Sequence, residues 1–159
     1  MQRIQVQRRF PALVIATITL GSCSYGFDIR AGVIDGRLAF VSNDSEWDCI
    51  ADIYVTTETP ARAVPAKGDD AGLIQNGGAF WWTESPVTDC KMNFPVFYGT
   101  ENGRTSVAPK PLHLGVTYAV HTQGEGAYGS GCFRITNERK VLNLALDICN
   151  TPMKENSES

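Results

Sequence analysis

The sequence predicts an all-β fold, a single antiparallel β-sandwich or barrel-like domain with two disulfides and little helix. Short runs of β-branched, aromatic or alternating residues recur along the chain, as in small β domains. The chain contains 15 glycines and eight prolines, which separate these runs at short intervals. No convincing amphipathic helical pattern of ten or more residues interrupts them.

Eight segments have the composition or the alternation of a strand. In chain order they are 27–33, 37–42, 50–57, 79–83, 94–98, 115–122, 132–135 and 142–148. The first two flank Asp35-Gly36, a dipeptide typical of two-residue hairpin turns. The last has aliphatic side chains at every second position, which is the clearest strand pattern in the chain. Segment 59–78 is predicted to be a long loop because it is rich in proline and glycine.

The first 22 residues are predicted to be a signal peptide. Arg3, Arg8 and Arg9 give a positively charged start, and an apolar run follows from Pro11 to Leu20. This run is about half the roughly 20 residues that a membrane-spanning helix needs. We therefore expect the segment to direct export and then to be removed.

The tetrapeptide Leu20-Gly21-Ser22-Cys23 closes this segment and resembles the lipobox of bacterial lipoproteins. The resemblance implies that a lipid (palmitate) is carried by Cys23, that cleavage occurs before Cys23, and that its amine is acylated. Ser24 follows, whereas an Asp at this position tends to retain enterobacterial lipoproteins in the inner membrane. The resemblance therefore implies a lipid anchor in the outer membrane, with the periplasmic side favoured over the cell surface.

Four segments follow from these features. Residues 1–22 would be the signal peptide, residues 23–26 a lipidated tether, residues 27–150 the β domain, and residues 151–159 a disordered polar tail. The segment left after cleavage has the commonest size for one domain.

The chain has five cysteines, and an odd number in an exported protein needs an explanation. Lipidation of Cys23 leaves Cys49, Cys90, Cys132 and Cys149, which can form two disulfides in an oxidising compartment. Three pairings are possible and the sequence does not choose between them, although we prefer Cys49–Cys90 with Cys132–Cys149. The cysteine spacing lacks a C-x-x-C pair, so it gives little support to a zinc ribbon or a thioredoxin-like site.

Charge and motif patterns exclude several classes of function. The chain has 14 Lys and Arg residues against 17 Asp and Glu residues, which does not favour nucleic-acid binding. Residues 124–129 literally match G-x-G-x-x-G, but strand-like sequence follows them where a dinucleotide site needs a helix. We therefore expect a glycine-rich connection with no nucleotide or other cofactor. His113 and His121 would lie about 25 Å apart on an extended strand, so no shared metal site is expected.

No catalytic residue is assigned, although Ser130 and His121 could form a triad with some carboxylate. Trp81 and Tyr128 are the candidates for a binding surface. Because strand neighbours face opposite sides, Trp81 would face away from Phe80 and Trp82. Tryptophan and tyrosine are common at protein interfaces, and aromatic rings also stack on sugars. For Trp81, packing in the core or beneath the predicted loop is favoured over this binding role.

These features together predict a non-enzymatic binding or interaction module of the bacterial cell envelope. Its expected partners are the membrane, through Cys23, and an envelope or secreted protein. The first alternative is a periplasmic inhibitor or immunity protein against a toxin or a cell-wall hydrolase. The second alternative is an envelope hydrolase.

Overall fold

A computed structural model of the protein describes residues 25–44, 49–57, 63–85, 92–101, 103–124 and 127–149. These residues form eleven strands and two short helices, so the all-β prediction is confirmed for them. No helix within this part of the chain is long and apolar enough to cross a membrane.

The elements are numbered in chain order. The strands are β1 (Tyr25–Ile34), β2 (Arg37–Ser42), β3 (Cys49–Ile50), β4 (Asp52–Thr56), β5 (Ala79–Glu84), β6 (Met92–Asn93), β7 (Val96–Phe97), β8 (Arg104–Val107), β9 (Thr117–Gly124), β10 (Ala127–Ile135) and β11 (Val141–Leu144). The helices are α1 (Ala71–Gln75) and α2 (Leu146–Cys149).

One curled, mostly antiparallel sheet contains nine of the described strands. Its order is β7-β2-β1-β10-β9-β4-β5-β8, and β11 pairs with β10 beside this path. Strands β3 and β6 form a separate short ladder, and the pair β1–β10 is parallel. The curled sheet resembles half of a barrel, which agrees with the barrel-like form of the prediction.

The hairpin between β1 and β2 forms as predicted. Asp35 and Gly36 both have positive φ angles, 50° and 73°, and the flanking residues Ile34 and Arg37 are paired. Positive φ at both central positions defines the turn whose twist matches that of antiparallel strands.

The concave face of the sheet holds the core. Ile53 and Val55 of β4 point inward, and so do Tyr118 and Val120 of β9, as their alternation predicts. Phe40 of β2 stacks on a tryptophan of β5 across the interior, with ring centroids 6.3 Å apart. Full burial of an aliphatic or aromatic side chain of this size contributes roughly 1.5–3 kcal/mol.

Tyr98 ties together two distant parts of the curled sheet. Its amide donates to the carbonyl of Leu38 on β2 at 2.9 Å. Its hydroxyl lies 3.1 Å from the carbonyl of Phe80 on β5 and 2.8 Å from that of Lys110. Burial raises the pKa of the Tyr98 hydroxyl, so this group stays protonated and can donate.

Several element boundaries differ from the sequence predictions. β1 begins at Tyr25, so Tyr25 and Gly26 belong to the sheet and not to a tether. Of the predicted strand 94–98 only Val96–Phe97 is strand, as β7, because Phe94-Pro95 separates it from β6 and the two strands pair in different sheets. Proline has no N–H and therefore interrupts a strand ladder. The predicted strand 132–135 is longer and spans β10.

Segment 59–78 is described from residue 63 and is not only a loop. Asp70 begins α1 there, and its carboxylate accepts hydrogen bonds from the amides of Gly72 and Leu73. Ile74 on this helix is buried against Ala79 and Val107. A single buried side chain thus holds the helix on the outside of β5.

Cys132 and Cys149 form a disulfide, as preferred, with Cα atoms 5.8 Å apart. The predicted strand 142–148 is wrong beyond Leu144, because the chain turns into α2 and brings Cys149 back to Cys132 on β10. Among the described residues this is the disulfide observed, whereas two were predicted. Cys23 and Cys90, the signal peptide and the tail 151–159 lie outside the described residues.

Candidate functional site

A cleft opens where two strands share one edge of β10. β1 pairs with residues 127–130 of β10, and β11 pairs with residues 132–135 on the same edge. Because β1 turns away before β11 joins, a gap of about 480 Å³ lies between them. We call this gap the fork cleft. Its lining includes Asp28, Arg30, Ser130, Asn143 and Leu146.

Glycines allow the strands to come close enough to form the fork. A Cβ atom on Gly131 would lie 2.2 Å from the carbonyl oxygen of Ile29, and one on Gly129 would lie 2.5 Å from the Phe27 ring. Gly129, the last glycine of the segment that literally matches a dinucleotide motif, therefore lies on a strand that approaches its neighbour closely. The end of that segment is part of β10, whereas a dinucleotide motif needs a helix there.

Asn143 fixes the width of the fork. Its side-chain oxygen accepts a hydrogen bond from the amide of Ala31 at 2.8 Å, and its side-chain nitrogen donates to the Ala31 carbonyl at 2.8 Å. The side-chain amide of Asn143 on β11 thereby satisfies the backbone N–H and C=O of Ala31. Ala31 lies on β1 beyond the residues that pair with β10.

The rim of the fork cleft carries both signs of charge. Asp28 and Arg30 are exposed and stand two positions apart on the same face of β1. Ser130 lies opposite Asp28 in the parallel register. Such a rim can hold a polar ligand by hydrogen bonds and ion pairs and is poorly suited to a wholly apolar one.

His121 and Ser130, the two residues considered for a triad, are brought together. They are paired between β9 and β10, and His121 Nδ1 lies 3.3 Å from Ser130 Oγ. Burial lowers the pKa of His121, which keeps the ring neutral and able to accept a proton. None of the described carboxylates hydrogen-bonds to His121, so the third member of a triad is missing from this part of the chain.

A row of stacked rings leads to His121 along the outer face of the sheet. Trp82 and Tyr54 are register partners with ring centroids 4.2 Å apart, and the Tyr54 and His121 centroids are 5.2 Å apart. We call Trp82, Tyr54 and His121 the aromatic row. Because the rings cover one another's faces, this row offers a ligand mainly ring edges and polar atoms.

Two carboxylates lie beside the aromatic row. Asp52 and Glu84 are register partners on β4 and β5, and Asp52 also accepts a hydrogen bond from the Gln123 amide at 2.7 Å. Burial raises the pKa of Asp52, the Gln123 amide partly opposes this, and the charge of Glu84 raises it further. Burial and the charge of Asp52 also raise the pKa of Tyr54, so its hydroxyl stays protonated.

Trp81 does not reach the surface: it packs in the core, as the favoured interpretation expected, and is not available as an exposed binding residue. It is 0% exposed and packs against Phe40 and Tyr98 in the core. The reason is a bulge: Val55 pairs with Trp81 and Thr56 with Ala79, which leaves Phe80 as an extra residue. Phe80 and Trp81 are therefore both buried, and Trp82 faces outward into the aromatic row.

Tyr128 is 50% exposed and pairs with Gln123 on the outer face. Its role in binding stays a prediction. Neither Asn143 nor the aromatic row was among the residues that the sequence pointed to. Alternation in β4 already placed Tyr54 opposite Ile53 and Val55, and this signal could have located the row.

Within the described residues, no group of three His, Cys, Asp or Glu side chains is placed to hold a metal ion. Comparisons with protein-family models, with curated proteins and with solved structures find no match to this chain.

Proposed function

We propose that this protein is a lipid-anchored, non-enzymatic binding module of the bacterial cell envelope that holds a polar ligand or partner segment in the fork cleft. The observation that carries the proposal is the cleft itself, a polar opening of about 480 Å³ built into the sheet. Its volume lies within the range of small-ligand sites.

The construction of the fork cleft supports binding. Most of its wall residues lie on strands β1, β10 and β11, with Ala145 and Leu146 at the start of α2 completing the lining, and Asn143 bonds across the fork to Ala31. A preformed wall lowers the conformational entropy lost on binding. The exposed side chains of Asp28 and Arg30 supply an acceptor and a cation for a ligand that carries polar groups of both kinds.

The anchoring part of the proposal comes from the sequence. Leu20-Gly21-Ser22-Cys23 resembles a lipobox at the end of a signal-peptide pattern. One acyl chain binds a membrane only marginally, whereas two or more give a stable anchor at about 0.8 kcal/mol per buried CH₂. The protein would therefore stay at the outer membrane and face the periplasm, and its partner would be an envelope or secreted protein.

A second disulfide, Cys49–Cys90, belongs to the same proposal, because the cysteines of an exported protein lie in an oxidising compartment. Thiol titration of the unreduced, denatured soluble body (residues 24–159) tests it. We expect no free thiol, whereas two free thiols would leave Cys132–Cys149 as the sole bridge and contradict the proposal.

The test of binding uses the oxidised soluble body to capture proteins from the envelope and secreted fractions of its own source. A captured protein counts only if purified material binds the body directly in calorimetry. Arg30→Glu and Asp28→Asn should weaken that binding, because both alter the rim of the fork cleft. Lys67→Glu is the matched control, since it makes the same charge change on an exposed residue outside the cleft lining. Binding that survives both cleft variants would reject the proposed site.

If the confirmed partner is a hydrolase or a toxin and the complex blocks its activity, the inhibitor or immunity function takes first place. That outcome would keep the fork cleft as the binding site and would specify what the binding achieves.

A hydrolase is a second candidate, favoured by the distance of 3.3 Å between His121 and Ser130. Activity of the soluble body on ester and cell-wall substrates would be measured with Ser130→Ala and His121→Ala. A triad enzyme should lose several orders of magnitude in rate while it remains folded. An equal rate in parent and variants would remove this candidate.

A further inference from the structure

We propose that the end of the sheet at which β1 begins rests on the membrane surface, with Tyr25 and Tyr128 in the lipid headgroup layer. This inference rests on the proposed lipidation of Cys23 and adds an orientation to it. The proposed occupant of this surface is the headgroup layer of the bilayer that carries the anchor.

The chain between the proposed anchor and the fold is short. β1 starts at Tyr25, two positions after Cys23. Two residues of extended chain span at most about 7 Å. A lipid on Cys23 would therefore hold the start of β1 against the bilayer, because at most this distance separates the two.

This end of the sheet carries two exposed tyrosine side chains, on β1 and β10. Tyr25 is 48% exposed and Tyr128 is 50% exposed, and the two lie on neighbouring strands, because Gly26 is the register partner of Tyr128. The Tyr25 hydroxyl donates to Asp44 at 2.6 Å, which fixes where the ring stands. Tyrosine is favoured at membrane interfaces, because its ring is apolar and its hydroxyl is polar.

The acidic side chains at this end of the sheet indicate which lipid headgroups it would contact. Asp28 and Asp44 lie close to this end of the sheet, on β1 and just after β2, and they line one shallow depression there with Tyr25. Anionic headgroups would not be attracted to such a surface. The anchor and the two tyrosine rings would therefore supply the attraction, and zwitterionic headgroups suit them best.

The orientation has a consequence for the fork cleft. Asp28 follows Tyr25 by three positions, which corresponds to about 10 Å along a strand. The cleft would then open just above the headgroups, within reach of a partner that is itself bound to the membrane. Val33 marks the opposite end of β1, about 26 Å from Tyr25, and is 57% exposed.

The experiment uses full-length protein, purified with its lipid and placed in phosphatidylethanolamine-rich vesicles that contain brominated lipids as fluorescence quenchers. Tyr128→Trp and Val33→Trp are each made in a Trp47→Phe background, so that the buried Trp81 and the partly buried Trp82 give a constant signal. Both substituted positions are exposed, and they lie at opposite ends of the sheet. The intact mass of each preparation shows whether acyl chains are attached.

We expect the brominated lipids to remove most of the emission that Tyr128→Trp adds and to leave the emission that Val33→Trp adds unchanged. Acylated protein with equal quenching at both positions, with stronger quenching at Val33→Trp or with no quenching would overturn the orientation while the anchor stands. A mass without acyl chains would overturn the anchor and the orientation together.

Discussion

The side-chain amide of Asn143 forms hydrogen bonds with both backbone groups of Ala31, a residue 112 positions earlier in the chain. One bond runs from the Ala31 amide to the side-chain oxygen and the other from the side-chain nitrogen to the Ala31 carbonyl, each 2.8 Å long. A backbone peptide unit of a neighbouring strand would make the same pair of bonds. Asn143 therefore takes the place of a strand where β1 has left β10, and it keeps the fork cleft open at a fixed width.

Asn143→Leu should lower the free energy of unfolding by about 1–2 kcal/mol, because two hydrogen bonds are lost and the Ala31 groups lose their partner. The size is modest because the site is only partly buried and water can enter. Urea denaturation measures the loss, and Leu142→Ala on the same strand, half-exposed, is the control with little expected effect. An unchanged stability in Asn143→Leu would show that the fork is held by other contacts.

Trp81→Ala should lower the free energy of unfolding by about 3–5 kcal/mol, because it removes a fully buried ring from the core. Tyr128→Ala should change it by no more than about 0.5 kcal/mol, because half of that side chain is in solvent. Denaturant unfolding of both variants makes the comparison. Similar losses in the two variants would contradict the burial of Trp81.

The features that depend only on neighbouring residues, such as a turn or the face that a strand residue takes, could be predicted from the sequence. Asp35-Gly36 fixes its own turn, because both residues tolerate positive φ. Ile53 and Val55 face inward because side chains alternate along any strand. The pairing of His121 with Ser130 follows from the antiparallel register of β9 and β10, which are close in sequence.

The β5 bulge, helix α2 and the fork cleft depend on contacts between residues distant in the chain, and such contacts are not visible in a single sequence. The bulge that buries Trp81 exists only in the register of β5 against β4. The helix at the end of the domain follows from the disulfide to Cys132, which overrides the alternation of residues 142–148. The fork cleft needs the parallel pairing of β1 with β10, and that pairing joins the start of the fold to a strand near its end.

The partly buried ion pair between Asp69 and Lys110 should make stability fall in acid. Desolvation works to raise the pKa of Asp69, but Lys110 and the amides of Ala66 and Ala108 outweigh it and lower this pKa. Because the folded pKa lies below the unfolded value of about 3.9, the stabilisation is complete above that value and is lost as pH falls through the folded pKa. The Asp69 side chain is only 2% exposed, so solvent screens the pair little.

Asp69→Asn should therefore cost about 2 kcal/mol near neutral pH, because it leaves the Lys110 ammonium without its charged partner. The difference from the parent should shrink toward zero below the folded pKa, where Asp69 is protonated as well. Urea unfolding over a pH series measures both. A difference that stays constant with pH would show that the ionised form of Asp69 contributes nothing.

His121 should produce a second pH dependence, at higher pH. Burial lowers its pKa in the folded state, so the unfolded chain takes up a proton first as pH falls below about 6.5. Stability should decrease through this range and level off below the folded pKa. His121→Gln should remove this decrease, which urea unfolding at about pH 7.5 and about pH 5.5 would reveal. An equal decrease in parent and variant would assign it to other groups.

Loss of the Cys132–Cys149 disulfide should affect the cleft wall as well as global stability. The two cysteines are 17 positions apart, and loop-closure entropy predicts about 3 kcal/mol for a bridge of this span. Ala145 and Leu146 line the fork cleft at the start of α2, and the bridge is the covalent hold on that helix. In a Cys132→Ala, Cys149→Ala variant, amide exchange should therefore accelerate more in residues 145–149 than in β9, and binding at the cleft should weaken.

Hydrogen exchange read by mass spectrometry, under conditions where the variant stays folded, separates the two effects. Uniform acceleration along the chain would mean that the bridge acts only on the unfolded state, and that packing of α2 on β9 and β10 suffices to hold the wall.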